Sequence, residues 1–136
     1  MSHSEILAQL RELKLSGMLS AYEEIVRRTG PATPEQTLLE LLQAESAERR
    51  LRTIRYQLSQ ARFPLAKDLD TFDFSASPVN EPHIRALYEG SFLADRKNIV
   101  LVGGTGTGKT HLAIAIAGRA VRNGLRARFF NLVDLA

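Results

Sequence analysis

The sequence predicts an α/β protein, with an N-terminal all-helical unit followed by the opening βαβ of a truncated phosphate-binding core. Three observations predict it. Apolar residues recur every three or four positions through 4–29 and 34–62. A run rich in β-branched residues, Asn98-Ile99-Val100-Leu101-Val102, leads straight into a glycine-rich turn. An amphipathic helix pattern and a second apolar run, Arg126 to Phe130, follow that turn. The resulting division is 1–62 (helical unit), 63–97 (linker and pre-core helix) and 98–136 (incomplete nucleotide-binding core).

Composition is compatible with this division. The chain has 136 residues, 44% hydrophobic and 24% charged, which is globular rather than disordered. It has no cysteine, so disulfides and thiolate metal sites are excluded. Its apolar runs are too short for a transmembrane helix, and Met1 to Glu5 lacks the pattern of a signal peptide. A cytoplasmic protein with no membrane partner is expected.

In the first unit, Ile6, Leu7, Leu10 and Leu13, then Leu15, Leu19, Tyr22, Ile25 and Val26, mark helix. Gly17 is a poor interior helix residue and Ser16 can cap, so a break near 15–17 predicts two short helices. Gly30-Pro31 is a stop. Thr33-Pro34-Glu35-Gln36 is a start, with Thr33 as N-cap, Pro34 in the first turn and Gln36 closing a capping box. The helix that follows should end near Ala61 or Arg62, because Pro64 disfavours helix just before it. Residues 63–82 combine Pro64, Pro78 and Pro82 with Phe63, Phe72 and Phe74, a linker anchored by aromatics. Helical spacing returns from Glu81 to Phe92. In the third segment, Lys109 to Asn123 is predicted helical with Leu112, Ala113, Ile116, Ala117 and Ala120 on its apolar face. Gly124 fits the C′ position.

Net charge is +3, and the excess lies in 98–136, where five basic residues face one acid. Residues 1–70 are balanced, ten against ten. Within them, Arg49, Arg50, Arg52, Arg55 and Arg62 form an acid-free cluster. On a helix this is either a surface able to meet nucleic-acid phosphates or a solvated face partly neutralised by Glu45 and Glu48.

Gly103-Gly104-Thr105-Gly106-Thr107-Gly108-Lys109-Thr110 fits G-x-x-x-x-G-K-[ST] without mismatch. Glycines allow positive φ and turn backbone N–H groups toward phosphate oxygens. The helix that starts at the loop adds free amides and its dipole. Lys109 can reach the β- and γ-phosphates, and the Thr110 hydroxyl can ligate Mg²⁺. His111 is expected to face solvent or neighbouring loops. Asp134 is the one carboxylate after the loop; it reads either as an Mg²⁺ ligand or, with Asn131, as part of a helix start, and the spacing favours the latter.

Gly108-Lys109-Thr110-His111-Leu112-Ala113, entered from Asn98-Ile99-Val100-Leu101-Val102-Gly103, resembles the IstB/DnaC-like AAA+ ATPases. Leu10-Arg11-Glu12-Leu13-Lys14-Leu15-Ser16-Gly17-Met18 resembles the first helices of the insertion-sequence helper IstB. Ala61-Arg62-Phe63-Pro64, Leu69 and Phe72-Asp73-Phe74 resemble the joint before its ATPase core, and Gly124 to Leu135 its next strand and helix start. The resemblance implies an ATP-binding helper of DNA transposition that uses ATP and Mg²⁺, contacts DNA and a transposase, and self-associates. It also implies that the chain is the N-terminal portion only, lacking the second acidic motif, sensor and arginine finger that hydrolysis needs. The Phe72-Asp73-Phe74 segment either packs near the adenine or anchors the linker to the core. The competing reading is a non-catalytic DNA- or transposase-binding module with a vestigial nucleotide site. A small metabolite kinase fits less well, because no lid or substrate-binding element is visible.

Overall fold

The computed structural model describes residues 2–28 and 30–135, without the side chain of Asp134. Seven α-helices lie among them: α1 (His3–Glu12), α2 (Ser16–Arg27), α3 (Pro34–Ala61), α4 (Glu81–Glu89), α5 (Ser91–Ala94), α6 (Lys109–Arg122) and α7 (Leu132–Leu135). Two 3₁₀ turns, Leu69–Thr71 and Phe74–Ala76, precede α4. The chain divides into two compact units, Met1–Thr53 and Ile54–Ala136, and α3 contributes to both. None of the described helices is long and apolar enough to cross a membrane.

In the first unit, Ser2 and Glu5 close a capping box at the start of α1, with Glu5 N–H donating to Ser2 Oγ and Ser2 N–H to Glu5 Oε2. The expected break follows: Leu13 ends α1, Lys14 turns at φ 57°, and α2 begins at Ser16. Ser16 is not the cap. Leu15 holds that position without a side-chain bond. The Glu45 carboxylate of α3 replaces it, accepting from the N–H groups of Gly17 at 3.0 Å and Met18 at 3.2 Å. Gly17 is glycine because α3 lies against it: a Cβ there would be 2.5 Å from the Ala44 carbonyl oxygen and 2.8 Å from Glu45 Cα. The start of α3 forms as its sequence requires, with Gln36 N–H donating to Thr33 Oγ1 and Thr33 N–H to Gln36 Oε1. Leu38, Leu39, Leu42 and Leu51 remain about half exposed along it.

The second unit has a core of Leu69, Ile84 and Leu112, packed by Phe72, Phe74, Val79, Leu87, Tyr88 and Leu101. Of the aromatics in 63–82, Phe72 and Phe74 anchor the segment to this core, and they meet edge to face at 4.9 Å. Helical spacing after Glu81 is divided by Gly90 at φ 89°, between α4 and α5. α6 ends in a Schellman motif: Gly124, at φ 95°, donates to the Val121 carbonyl and Leu125 donates to the Ala120 carbonyl.

The α/β expectation is corrected here, because the described residues contain helices and no strand. The two segments read as β-strands, 98–102 and 126–130, exchange no backbone hydrogen bonds with each other. A strand exists only through its ladder, and β-branched composition alone does not supply one. In 126–130, the Phe129 N–H instead donates to the Ala61 carbonyl at the end of α3, at 2.7 Å. In 98–102, Ile99 and Leu101 turn inward while Val100 and Val102 are 80% and 90% exposed. The run is therefore covered on one side only, where the sequence suggested burial on both. The face that α6 buries shifts accordingly. Leu112, Ile114, Ala115, Ile116, Gly118 and Val121 are buried, whereas Ala113 is exposed and Ala117 and Ala120 are half-buried.

Candidate functional site

The glycine-rich loop precedes α6 and lies wholly within the second unit. Gly106 and Gly108 take φ values of 75° and 87°, where L side chains are strained. Gly108 has a second reason to lack a side chain, because a Cβ would come within 2.6 Å of the Phe72 ring. Thr107 Oγ1 donates to the Gly104 carbonyl at 2.8 Å and tightens the turn.

α6 begins immediately after Gly108. Its first recorded backbone bond runs from Leu112 N–H to the Gly108 carbonyl at 3.0 Å. The N–H groups of Lys109, Thr110 and His111 have no acceptor among the described residues. These are the orphan donors of a helix start, aligned with the positive end of the dipole. Lys109 brings a full positive charge to the same place. Its Nζ donates to the Gly103 carbonyl and, at 2.6 Å, to the Gly104 carbonyl. The Thr110 side chain belongs to an exposed residue in the first turn. Free amides, a mobile ammonium and a hydroxyl together suit the phosphates of a nucleotide. For Mg²⁺ the chain offers Thr110 Oγ1 as one hard oxygen ligand, and phosphate oxygens and water would complete the octahedron. No cluster of His, Asp or Glu able to hold a metal by itself occurs among the described residues.

Beside the loop lies an apolar cavity of about 930 Å³. Ile99, Leu101, Ala113, Ala117, Ala120 and Phe129 line it, and Lys109 and Thr110 stand among its other wall residues. On the opposite flank, His111 meets the segment before α4. Its Nε2 lies 2.6 Å from the Asp68 carbonyl and 3.2 Å from Thr71 Oγ1. Its ring is edge-on to Phe72 at 5.2 Å. Asp68 is fixed in turn: Oδ1 accepts from Leu69 N–H at 2.6 Å and the Tyr88 hydroxyl at 3.1 Å, and Arg122 lies 3.4 Å from Oδ2. Partial burial pushes the Asp68 carboxyl up, but these hydrogen bonds and Arg122 outweigh it and hold the group below its usual range. The same burial and the Asp68 charge raise the Tyr88 phenol.

The five arginines are exposed, and the structure does not gather them. At 3.6 residues per turn, Arg49, Arg50 and Arg52 point in three directions around α3. Arg49 donates to Glu45 at 2.9 Å, and Arg52 donates to Ser16 Oγ at 2.7 Å with Glu48 at 4.0 Å. Arg50, Arg55 and Arg62 have no ion-pair partner among the described residues. Arg62 stands just beyond α3 at φ 56°. Of the Asn131–Asp134 pair, Asn131 Oδ1 accepts from Val133 N–H at 3.1 Å as a cap; the Asp134 side chain lies outside the described residues. Sequence reasoning missed Asp68 and the contact of His111 with it, because a pairing across 43 positions leaves no local pattern.

The family model for IstB-like ATP binding protein matches residues 8–136. A protein named for ATP binding in insertion sequence IS5376 of Geobacillus stearothermophilus is 41% identical over 99 residues, covering 72% of this chain and 39% of its own. Its counterpart in IS21 of Pseudomonas aeruginosa is 40% identical over 92 residues, covering 67% and 35%. Another, in IS232 of Bacillus thuringiensis, is 30% identical over 137 residues, covering 98% and 55%. The matched regions thus span about a third to a half of these relatives. A model match over nearly the whole chain, through both the helical region and the phosphate-type loop, makes this chain a member of the family of IstB-like ATP-binding proteins of insertion sequences.

Proposed function

We propose that this chain binds the phosphates of ATP with Mg²⁺ through Gly103, Gly104, Thr105, Gly106, Thr107, Gly108, Lys109 and Thr110, as the nucleotide-binding helper of a cytoplasmic transposition system. One observation carries the reading: the N–H groups of Lys109, Thr110 and His111 at the start of α6 have no acceptor among the described residues, and the Lys109 ammonium is held on the carbonyls of the glycine-rich loop itself. Lys109 would leave the Gly103 and Gly104 carbonyls and turn to the phosphates. The loop amides would orient the chain of phosphates, and Thr110 would hold the cation, whose charge offsets that of the phosphates. Among the described residues, no carboxylate hydrogen-bonds to the loop. The 136-residue chain is proposed to bind ATP with little or no turnover.

Contact with DNA through Arg49, Arg50, Arg52, Arg55 and Arg62 is the second part of the proposal, with a transposase and further copies of the chain as protein partners. Arg50, Arg55 and Arg62 are its strongest members, since Arg49 and Arg52 already serve Glu45 and Ser16. Replacing Arg50, Arg55 and Arg62 by alanine should weaken DNA binding and flatten its salt dependence by roughly one phosphate contact per residue. An unchanged salt slope would remove DNA contact from these residues.

The alternative is a binding module whose nucleotide site is vestigial. The engagement of Lys109 with its own loop favours it to the extent that ATP must compete with two hydrogen bonds. Calorimetric titration of Mg-ATP separates the readings. A Kd at least about tenfold weaker for Lys109→Ala supports a working phosphate site, and no binding by either protein supports the module.

A further inference from the structure

His111 is not needed for the phosphate chemistry above, yet it is the first side chain after Thr110. A carbonyl oxygen only accepts, so its 2.6 Å contact with Asp68 requires the hydrogen on His111 Nε2. Thr71 Oγ1, which itself donates to the Asp68 carbonyl at 3.0 Å, completes a three-membered polar contact. The other side of the ring leans on Phe72, and Phe72 fills the space over Gly108. The backbone at 68–72 is held apart from His111 as well, because Leu69 is fully buried and the Asp68 carboxylate accepts from Tyr88 of α4, with Arg122 at the far end of α6 beside it. The start of α6 is thereby attached at two adjacent points, Gly108 through Phe72 and His111 through Asp68, to a segment that is itself immobilised.

The loop needs such an attachment. Its glycines at positive φ carry no side chains to pack, and the amides of Lys109, Thr110 and His111 are not held by hydrogen bonds. Without an external anchor, these donors would have to be ordered at the moment of binding, at a cost in affinity. We propose that His111, acting with Phe72, is a positioning residue that pre-orders the phosphate-binding amides by locking the first turn of α6 to the Asp68 backbone. The inference rests on the phosphate-site reading and adds to it a residue outside the glycine-rich motif.

The test compares His111→Gln with His111→Asn. Glutamine can place an amide N–H near the position of Nε2, and asparagine is too short to reach the Asp68 carbonyl. Both are polar and uncharged, so a general loss of packing affects them alike. His111→Gln should bind Mg-ATP within about threefold of wild type, and His111→Asn roughly tenfold more weakly, as for a lost hydrogen bond and its ordering. Without nucleotide, hydrogen–deuterium exchange at Leu112 to Ile116, the first bonded amides of α6, should quicken in His111→Asn and hold in His111→Gln. Equal affinities for the two variants, or equal exchange, would overturn the anchor. Lys109→Ala is titrated alongside. If wild type shows no Lys109-dependent binding, the phosphate-site reading fails, and the anchor is then decided by the exchange rates alone.

Discussion

The Glu45 carboxylate accepts hydrogen bonds from the Gly17 and Met18 amides and from Arg49 Nε, while its residue is only 6% exposed. Burial pushes its carboxyl up, but those three donors outweigh burial and hold it below the usual value of 4.5. A carboxyl lowered in the folded state adds stability above its unfolded value, and that contribution is lost as pH falls through the folded one. Glu45→Gln should therefore have a lower urea midpoint than wild type at pH 7, with the gap narrowing as pH falls through the carboxylate range. A gap that stays constant until the carboxylates are protonated would contradict this origin. Gly17, against the same helix, makes a separate prediction. Alanine is the better helix former by about 1 kcal/mol, but its Cβ would collide with the Ala44 carbonyl. Gly17→Ala should destabilise by roughly 1–3 kcal/mol, and a stabilised variant would show that α3 can move aside. Gly108→Ala meets both the Phe72 ring and a positive φ. It should lose Mg-ATP affinity at least as severely as Lys109→Ala.

At the scale of elements, helix ends were legible and sheet was not. The Thr33/Gln36 box, the end of α3 at Ala61 and the glycine after α6 form where local rules put them, because each depends on residues within one turn, whereas the break before Ser16 falls where expected but is capped from Glu45, 28 positions away. The α6 terminus gives a direct test. Gly124 adopts φ 95° in the Schellman turn, so Gly124→Ala should cost about 1–2 kcal/mol in an unfolding titration. A change under a few tenths would place the helix end elsewhere. Ile99-Val100-Leu101 has strand composition, but pairing is a property of two segments, and the backbone bond from Phe129 goes to Ala61. Because no ladder covers it, the Ala113–Ala117–Ala120 side of α6 borders an apolar cavity, and its opposite side forms the core. Periodicity placed Leu112 and Ile116 on the buried face of α6, but it left out Ile114, Ala115 and Val121 and included the exposed Ala113.

At the scale of the molecule, the turn ahead of α6 was legible, with positive φ at Gly106 and Gly108 where the glycine spacing allows it. What holds the loop was not: Asp68, Thr71 and Phe72 reach it from about forty positions upstream. The arginine cluster looked like one surface in sequence, and helical geometry spreads it, with Arg49 and Arg52 committed to internal contacts. The +3 net charge is therefore a weaker guide to DNA than the unpaired Arg50, Arg55 and Arg62. The central claim is that the Lys109 ammonium and the amides at the start of α6 form a phosphate site in this chain. It is tested most directly by titrating Mg-ATP into wild type and into a folded Lys109→Ala variant. The account predicts saturable binding to wild type that weakens at least about tenfold in the variant; equal affinities for the two proteins, or no binding to either, would contradict it.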